Sequence, residues 1–240
     1  MSNVIIRRIK PFLSPYSIVL FRCLMRRKGL PLWGNLRRLR PFSSNFGFDR
    51  GKPIDRYYLE KFLRENSRYI SGKVLEIQIN GYTLRFGKDI SVTHTVDIRR
   101  EFNPTYLCDL AECDNVIPDD YYDCFVMPNT LHHLQDLHKC LKNALRIVRP
   151  GGVILASASA FIPLVPDIPD YWRLSVNGWK EIINKAWAGC DVELKSYGNC
   201  LAVVASMLGL SSEELKEKEL DFNDARYPVL ITIFCRKPFD

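Results

Sequence analysis

Apolar residues in the middle of the chain come in short unbroken runs. Each run is followed by a polar turn and then by a stretch where apolar positions recur every three or four residues. Val74-Leu75-Glu76-Ile77, Ser91 to Val96, Tyr122 to Met127 and Val153 to Ala156 read as strands buried on both faces. Between the last two, Leu137, Leu141, Leu145 and Val148 share one face of a helix expected over Asp136 to Val148 and closed by Pro150-Gly151-Gly152. Ahead of the first strand, Tyr58, Leu59, Phe62 and Leu63 mark a helix from Arg56 to Asn66, with Asp55 as its cap. This alternation predicts an α/β architecture, a parallel sheet covered by helices on both faces.

After Ser157 the pattern changes. A proline-rich loop runs from Phe161 to Leu174. It is followed by a helix (Asn177 to Ala188), a strand (Asp191 to Tyr197) and an apolar helix (Leu201 to Leu208). Ser211 with Glu214 forms a capping box for an acidic helix, and a last strand spans Val229 to Cys235.

Charge divides the chain. Residues 1–48 hold ten Lys or Arg and no acid, whereas the remainder carries 24 basic against 27 acidic residues. We therefore expect a basic N-terminal arm, residues 1–40, and a domain over residues 41–240. The arm combines its charge with two short apolar helical stretches, around Ile5, Ile6 and Ile9 and from Ile18 to Met25. It suits either peripheral contact with an anionic membrane surface or packing on its own domain or a sister subunit. No nucleic-acid motif accompanies the charge, so nucleic acid is a weaker expectation. The apolar run Pro11 to Phe21 is broken by two prolines and falls short of the roughly 20 residues that span a bilayer. Neither a cleaved signal nor a transmembrane helix is expected. The eight cysteines show no C-x-x-C pair, which argues against a disulfide framework and for a reducing, cytoplasmic compartment.

The chemistry gathers at strand ends. In open α/β sheets ligands bind beyond the carboxyl ends of the strands, and Glu76, Asp97, Asp109 and Asn129 fall at such ends. Asp97, 21 residues beyond Glu76, is placed to accept both hydroxyls of a ribose. The first turn, Gln78-Ile79-Asn80-Gly81 onward to Gly87, lacks the G-x-G-x-x-G that admits a pyrophosphate. A nucleoside cofactor without phosphates, an adenosyl sulfonium, fits better.

The chain here resembles the class I S-adenosylmethionine-dependent methyltransferases of the small-molecule branch. The matching pieces are Val74 to Ile77, Asp97, Asp109-Leu110, Tyr122-Asp123, Thr130 to Leu134 and Arg149 to Gly152. Beyond them, Trp33 to Arg38, Phe46 to Gly51, Pro53 to Tyr58, Asp170 to Arg173 and Tyr197 to Asn199 resemble a subgroup often encoded beside glycosyltransferases. The resemblance implies a Rossmann-like, doubly wound sheet of about seven strands, mostly parallel, with S-adenosylmethionine as cofactor. It implies that Glu76 and the Gln78–Gly81 loop face the methionine portion and that Asp97 binds the ribose. Asp109 and Leu110 would border the adenine, and Asn129 would lie where methyl group and acceptor meet. The family's loop normally reads Glu-x-Gly-x-Gly-x-Gly; here Gln78 stands at the first glycine.

For the acceptor, His132 and His133 follow the fourth strand directly, and one of them, preferably His133, is the candidate general base. They equally suit packing or capping of the next helix. Tyr171 and Trp172 offer flat faces to a sugar and Arg173 could hold an anion, or the three could simply anchor their loop. Asp49 and Arg50 could close over the cofactor carboxylate or pair with each other as a hinge. Zinc spacing and a G-x-S-x-G elbow are absent, so neither a metal site nor a serine hydrolase is expected. The expected function is S-adenosylmethionine-dependent O-methylation of a sugar in a surface glycan or its precursor, as part of polysaccharide biosynthesis. N-methylation of an amine, and a catalytically inactive scaffold with a degenerate loop, stay open. The expected partners are a small-molecule or glycan acceptor, with an oligomer compatible.

Overall fold

A computed structural model describes residues 34–239, with five isolated positions between 14 and 20. The first N-terminal apolar stretch, all of the second but residues 19 and 20, and most of the basic arm lie outside the described residues. The chain divides between Arg40 and Pro41, and the elements below belong to the second unit.

Seven strands form one sheet: β1 Gly72–Ile77, β2 Ile90–Asp97, β3 Tyr106–Leu107, β4 Tyr122–Met127, β5 Val148–Ser159, β6 Asp191–Tyr197 and β7 Leu230–Arg236. Their order is β3-β2-β1-β4-β5-β7-β6. β1 to β5 pair in parallel, whereas β7 runs antiparallel to both β5 and β6. The expected Rossmann-like, mostly parallel sheet is therefore present. The two-residue β3 carries too few apolar positions to show in the hydropathy pattern.

Side chains of successive strand residues point to opposite faces, and this sorts the apolar runs into two cores. Leu75, Phe125, Met127 and Ile154 face α3 (Leu137–Ile147) and α4 (Val176–Ala186). Val74, Cys124, Val126, Val153 and Leu155 face α1 (Ile54–Glu65), α2 (Gly81–Phe86), α5 (Cys200–Met207) and α6 (Glu217–Asp221). β4 is buried along nearly its whole length, as a central strand covered on both sides must be.

Two local expectations need correcting. Pro150-Gly151-Gly152 does not close α3, which already ends at Ile147. It forms an irregular opening of β5, where the register against β4 shifts. Gly151 has φ +75°, and a side chain there would run into the Phe239 ring. Asp55 is not the cap of α1 either, because the helix begins at Ile54, two residues earlier than expected, with Pro53 at the cap position. The Ser211–Glu214 capping box forms as expected, but on a 3-10 turn, Ser212–Glu214, that precedes α6.

Residues 42–53 make a strap against residues 208–214. Phe42 N donates to Leu208 O at 2.7 Å, Ser212 N to Lys52 O at 2.7 Å, and Arg50 Nε to Glu214 Oε2 at 2.9 Å. Among the described residues, no helix is long and apolar enough to cross a membrane.

Candidate functional site

Strand order reverses between β1 and β4, so the cleft in which open α/β sheets bind ligands belongs at the carboxyl ends of these strands. After β1 the chain turns through Gln78, a non-glycine residue at φ +71°, whose N–H donates to Val96 O at 2.9 Å. α2 starts at once. Its first orphan amides are met from behind by Glu76: Tyr82 N donates to Oε1 at 3.1 Å and Thr83 N to Oε2 at 2.7 Å. Glu76 has no solvent exposure. Burial pushes its carboxyl up to about 7, against the opposing pull of those amide bonds. Glu76 thus shapes the loop from within the fold and does not itself face the cleft. Gly81 is exposed, and a Cβ there would meet nothing nearer than Ile79 Cδ1 at 3.8 Å. The fold does not need glycine at that point, so the bare backbone suits a ligand lying against it.

Asp97 ends β2. Its Oδ1 accepts from Arg99 N at 2.7 Å and Arg99 Nε at 3.4 Å, and Oδ2 takes no bond among the described residues. That oxygen is the free acceptor at this corner. Asp109 caps the short turn Leu110–Glu112 through Oδ1 and Ala111 N at 2.8 Å. The Leu110 side chain is buried in the core, so only its backbone can border a ligand.

Asn129, at φ +47° after β4, is held at its backbone N–H and at both polar atoms of its side chain. Its N–H donates to Ser157 Oγ at 2.7 Å, Ser157 Oγ donates to its Oδ1 at 3.1 Å, and its Nδ2 donates to Asp55 Oδ2 at 2.6 Å. Asp55 therefore works 74 residues away from its position in sequence, tying α1 across the end of β4. The neighbouring Arg56 donates from Nη1 to the Tyr82 hydroxyl at 3.2 Å. Neither role was legible beforehand, although Pro53-Ile54-Asp55-Arg56 sets an acid and a base side by side at a helix start.

The two histidines part company. His132 is 2 % exposed, and its Nδ1 accepts from Ser159 N at 3.3 Å. Burial, assisted by the positive groups of His133, Arg173 and Arg56, holds its titration down to about 2. His132 is a neutral structural acceptor and not a base. His133 Nδ1 lies 2.7 Å from Pro169 O, so Nδ1 donates to that carbonyl, and in the neutral ring the lone pair is then on Nε2. His132, His133 and Asp170 bring donor atoms within 4.8 Å of one another, but the set does not suit a metal. His132 Nδ1 is turned to an amide, and Asp170 receives Arg173 Nε at 3.0 Å on one oxygen and Arg173 Nη2 on the other.

That pairing also removes Arg173 as an anion holder; its Nη1 goes to Ala160 O at 2.9 Å. Tyr171 N and Trp172 N both donate to His132 O, and Trp172 Nε1 donates to Leu134 O at 2.7 Å. The loop is anchored, yet Tyr171 stays 44 % exposed. The Trp172 ring lines an open cavity of about 620 Å³ with Asp109, Glu112, Gln135, His138 and Ile182. Asp49 and Arg50 neither pair with each other nor reach the cleft. Asp49 accepts from the Ser43 hydroxyl, and Arg50 grips Glu214 with two nitrogens.

Residues 61–156 match the family described as a methyltransferase domain. The chain is similar to the solved structure of an S-adenosylmethionine-dependent methyltransferase from Archaeoglobus fulgidus, with a TM-score of 0.53, 17 % identity, and coverage of 81 % of this chain and 100 % of that one. A second such enzyme, from Mesorhizobium loti, gives a TM-score of 0.51 at 14 % identity over 74 % of this chain and 96 % of that one. The match to a methyltransferase domain over residues 61–156 thus lies within a fold that this chain shares with solved S-adenosylmethionine-dependent methyltransferases. Among curated proteins, the chain is 32 % identical over 101 residues to the ubiquinone/menaquinone biosynthesis C-methyltransferase UbiE of Francisella tularensis subsp. novicida. That similarity spans 41 % of this chain and 38 % of the relative.

Proposed function

We propose that this chain binds S-adenosylmethionine and transfers its methyl group to a hydroxyl oxygen of a sugar, in a surface glycan or its lipid-linked precursor. The observation that carries the cofactor part is the convergence of the open Gly81 backbone, the free Asp97 oxygen and the Asp109 turn on the carboxyl ends of β1 to β3. The Gly81 loop would lie along the methionine portion, Asp97 would accept from the ribose hydroxyls, and Asp109 from the adenine amino group. When bound, the sulfonium supplies an activated methyl group. His133 Nε2 is the lone pair offered to the acceptor proton, and its Nδ1–H···O=C bond to Pro169 fixes that tautomer. Positioning the acceptor against the methyl carbon supplies much of the remaining rate. Tyr171 and the Trp172 ring are the faces offered to a sugar.

The acceptor class rests on the flanking motifs that resemble the glycan-associated subgroup. The curated relatives are by name C-methyltransferases, and a carbon acceptor is the competing chemistry. A scaffold without cofactor is the second reading, favoured by Gln78 standing in the left-handed conformation where the family has glycine. Calorimetric titration with S-adenosylmethionine and S-adenosylhomocysteine decides between them. Micromolar binding that is lost in Asp97→Ala supports the enzyme, and no binding of either ligand supports the scaffold. Residues 1–40 would add peripheral contact with an anionic membrane; deletion of the arm should then weaken binding to anionic liposomes.

A further inference from the structure

Arg56 has an unusual setting for a cation. It stands in the first turn of α1 with its side chain 30 % accessible, in a recess between the β1 loop and the end of β4. Tyr82, next to Gly81, bounds it on one side, and Asp55, bound to Asn129, bounds it on the other. Asp55 Oδ2 lies 3.7 Å from Arg56 Nε, beyond hydrogen-bond range, and already accepts from Asn129. The guanidinium has five N–H donors, and among the described residues only the bond to Tyr82 is made.

The surrounding charges neutralise it only through the long, 3.7 Å ion pair with Asp55, a carboxylate that Asn129 shares. Glu60, the other acid nearby, is filled by Lys52 Nζ at 2.6 Å and Arg85 Nη1 at 2.5 Å. Three cations, Lys52, Arg56 and Arg85, thus face two carboxylates, and Arg56 is the one whose fork stays open. Burial works against its charge, but Asp55 and Tyr82 outweigh this and keep it raised.

We infer that Arg56 receives the α-carboxylate at the methionine end of the cofactor. The inference rests on the cofactor reading above. A carboxylate is planar with two oxygens and matches the guanidinium fork. Arg50, the sequence candidate for this role, is consumed by Glu214.

The test compares two ligands by calorimetry: S-adenosylhomocysteine, which has the carboxylate, and 5′-methylthioadenosine, which lacks the whole amino-acid portion. Arg56→Gln should weaken S-adenosylhomocysteine by about 10- to 100-fold while leaving methylthioadenosine within about twofold. Arg56→Lys, which keeps the charge and loses the fork, should fall between. Unchanged methylthioadenosine affinity also shows that the loop is intact in the variant. Equal losses on both ligands would make Arg56 a support of the loop and overturn the assignment, as would no loss on either. Wild-type protein that binds neither ligand would remove the cofactor reading and this inference with it. Wild-type binding without discrimination by the variants would sink this inference alone.

Discussion

Glu76 and His132 sit a few residues from the same strand ends and load stability with pH in opposite directions. Glu76 is buried with its carboxyl raised from 4.5 to about 7. Between those values the folded state binds more protons than the unfolded one, so stability falls as pH rises through the window. His132 is lowered from 6.5 to about 2. There the unfolded state binds more protons, and stability is lost as pH drops below 6.5. With 1.36 kcal/mol per unit, going from pH 7.5 to 5.5 relieves Glu76 by about 2 kcal/mol and costs about 1 kcal/mol at His132. The two partly cancel in the wild type. Glu76→Gln removes the first contribution, and its single acceptor oxygen also leaves one loop amide poorly met, a roughly pH-independent cost of about 1–3 kcal/mol. Urea unfolding of wild type and Glu76→Gln at both pH values isolates the linkage. The stability gap between them should widen by about 2 kcal/mol on acidification, because only the wild type gains from protonating Glu76. A gap that does not change with pH would mean that Glu76 is ionised in the fold, and the burial argument would be refuted. His132→Gln should show the reverse deviation, gaining on wild type at pH 5.5.

Gln78→Gly should relieve the left-handed strain at φ +71°, worth about 1 kcal/mol, and raise the thermal midpoint by about 2–4 °C; a lower midpoint would show that the Gln78 side chain supports the loop. Asn129→Asp faces Asp55 with a second carboxylate and should cost about 2–3 kcal/mol in denaturant unfolding. The swapped pair Asp55→Asn with Asn129→Asp should recover most of that, since it restores one donor facing one acceptor. Gly209→Ala drives a methyl into the Ser43 carbonyl at φ +69° and should cost about 2 kcal/mol or more. Faster limited proteolysis within residues 42–53 would report the loosened strap.

The repeating core was the legible part. Buried strands and amphipathic helices announce themselves through local periodicity, and an acid at a strand end can be read from that period alone. Asp97, which ends β2, and Asp109, which follows β3, are legible in this way, as is the amide Asn129 after β4. What stayed hidden depends on partners far away in the chain. Arg50 looks like a cleft residue until Glu214, 164 positions on, is seen to hold it. Asp55 looks like a helix cap until Asn129 is brought against it. His132 and His133 are neighbours of equal chemistry, and only the packing of the 157–171 region decides which becomes an inert acceptor. Gly151 and Gly152 obey the rule for a helix end, yet they serve a strand irregularity, because the Phe239 ring needs the space.

The place of β7 in the sheet bears on how the polypeptide is made. β6 is hydrogen-bonded in the sheet to β7 alone, and β7 is the last strand to be synthesised. When β1 to β5 have emerged from the ribosome they can pair in parallel, but the outer edge of β5 then stands open with the buried run Val153–Ala158 along it. A bare apolar edge of that kind templates pairing with other chains. It stays uncovered while the 70 residues from Ala160 to Val229 are translated. The nascent protein is most exposed to misassembly in that interval, and a chaperone acting on it would have the β5 edge as its substrate.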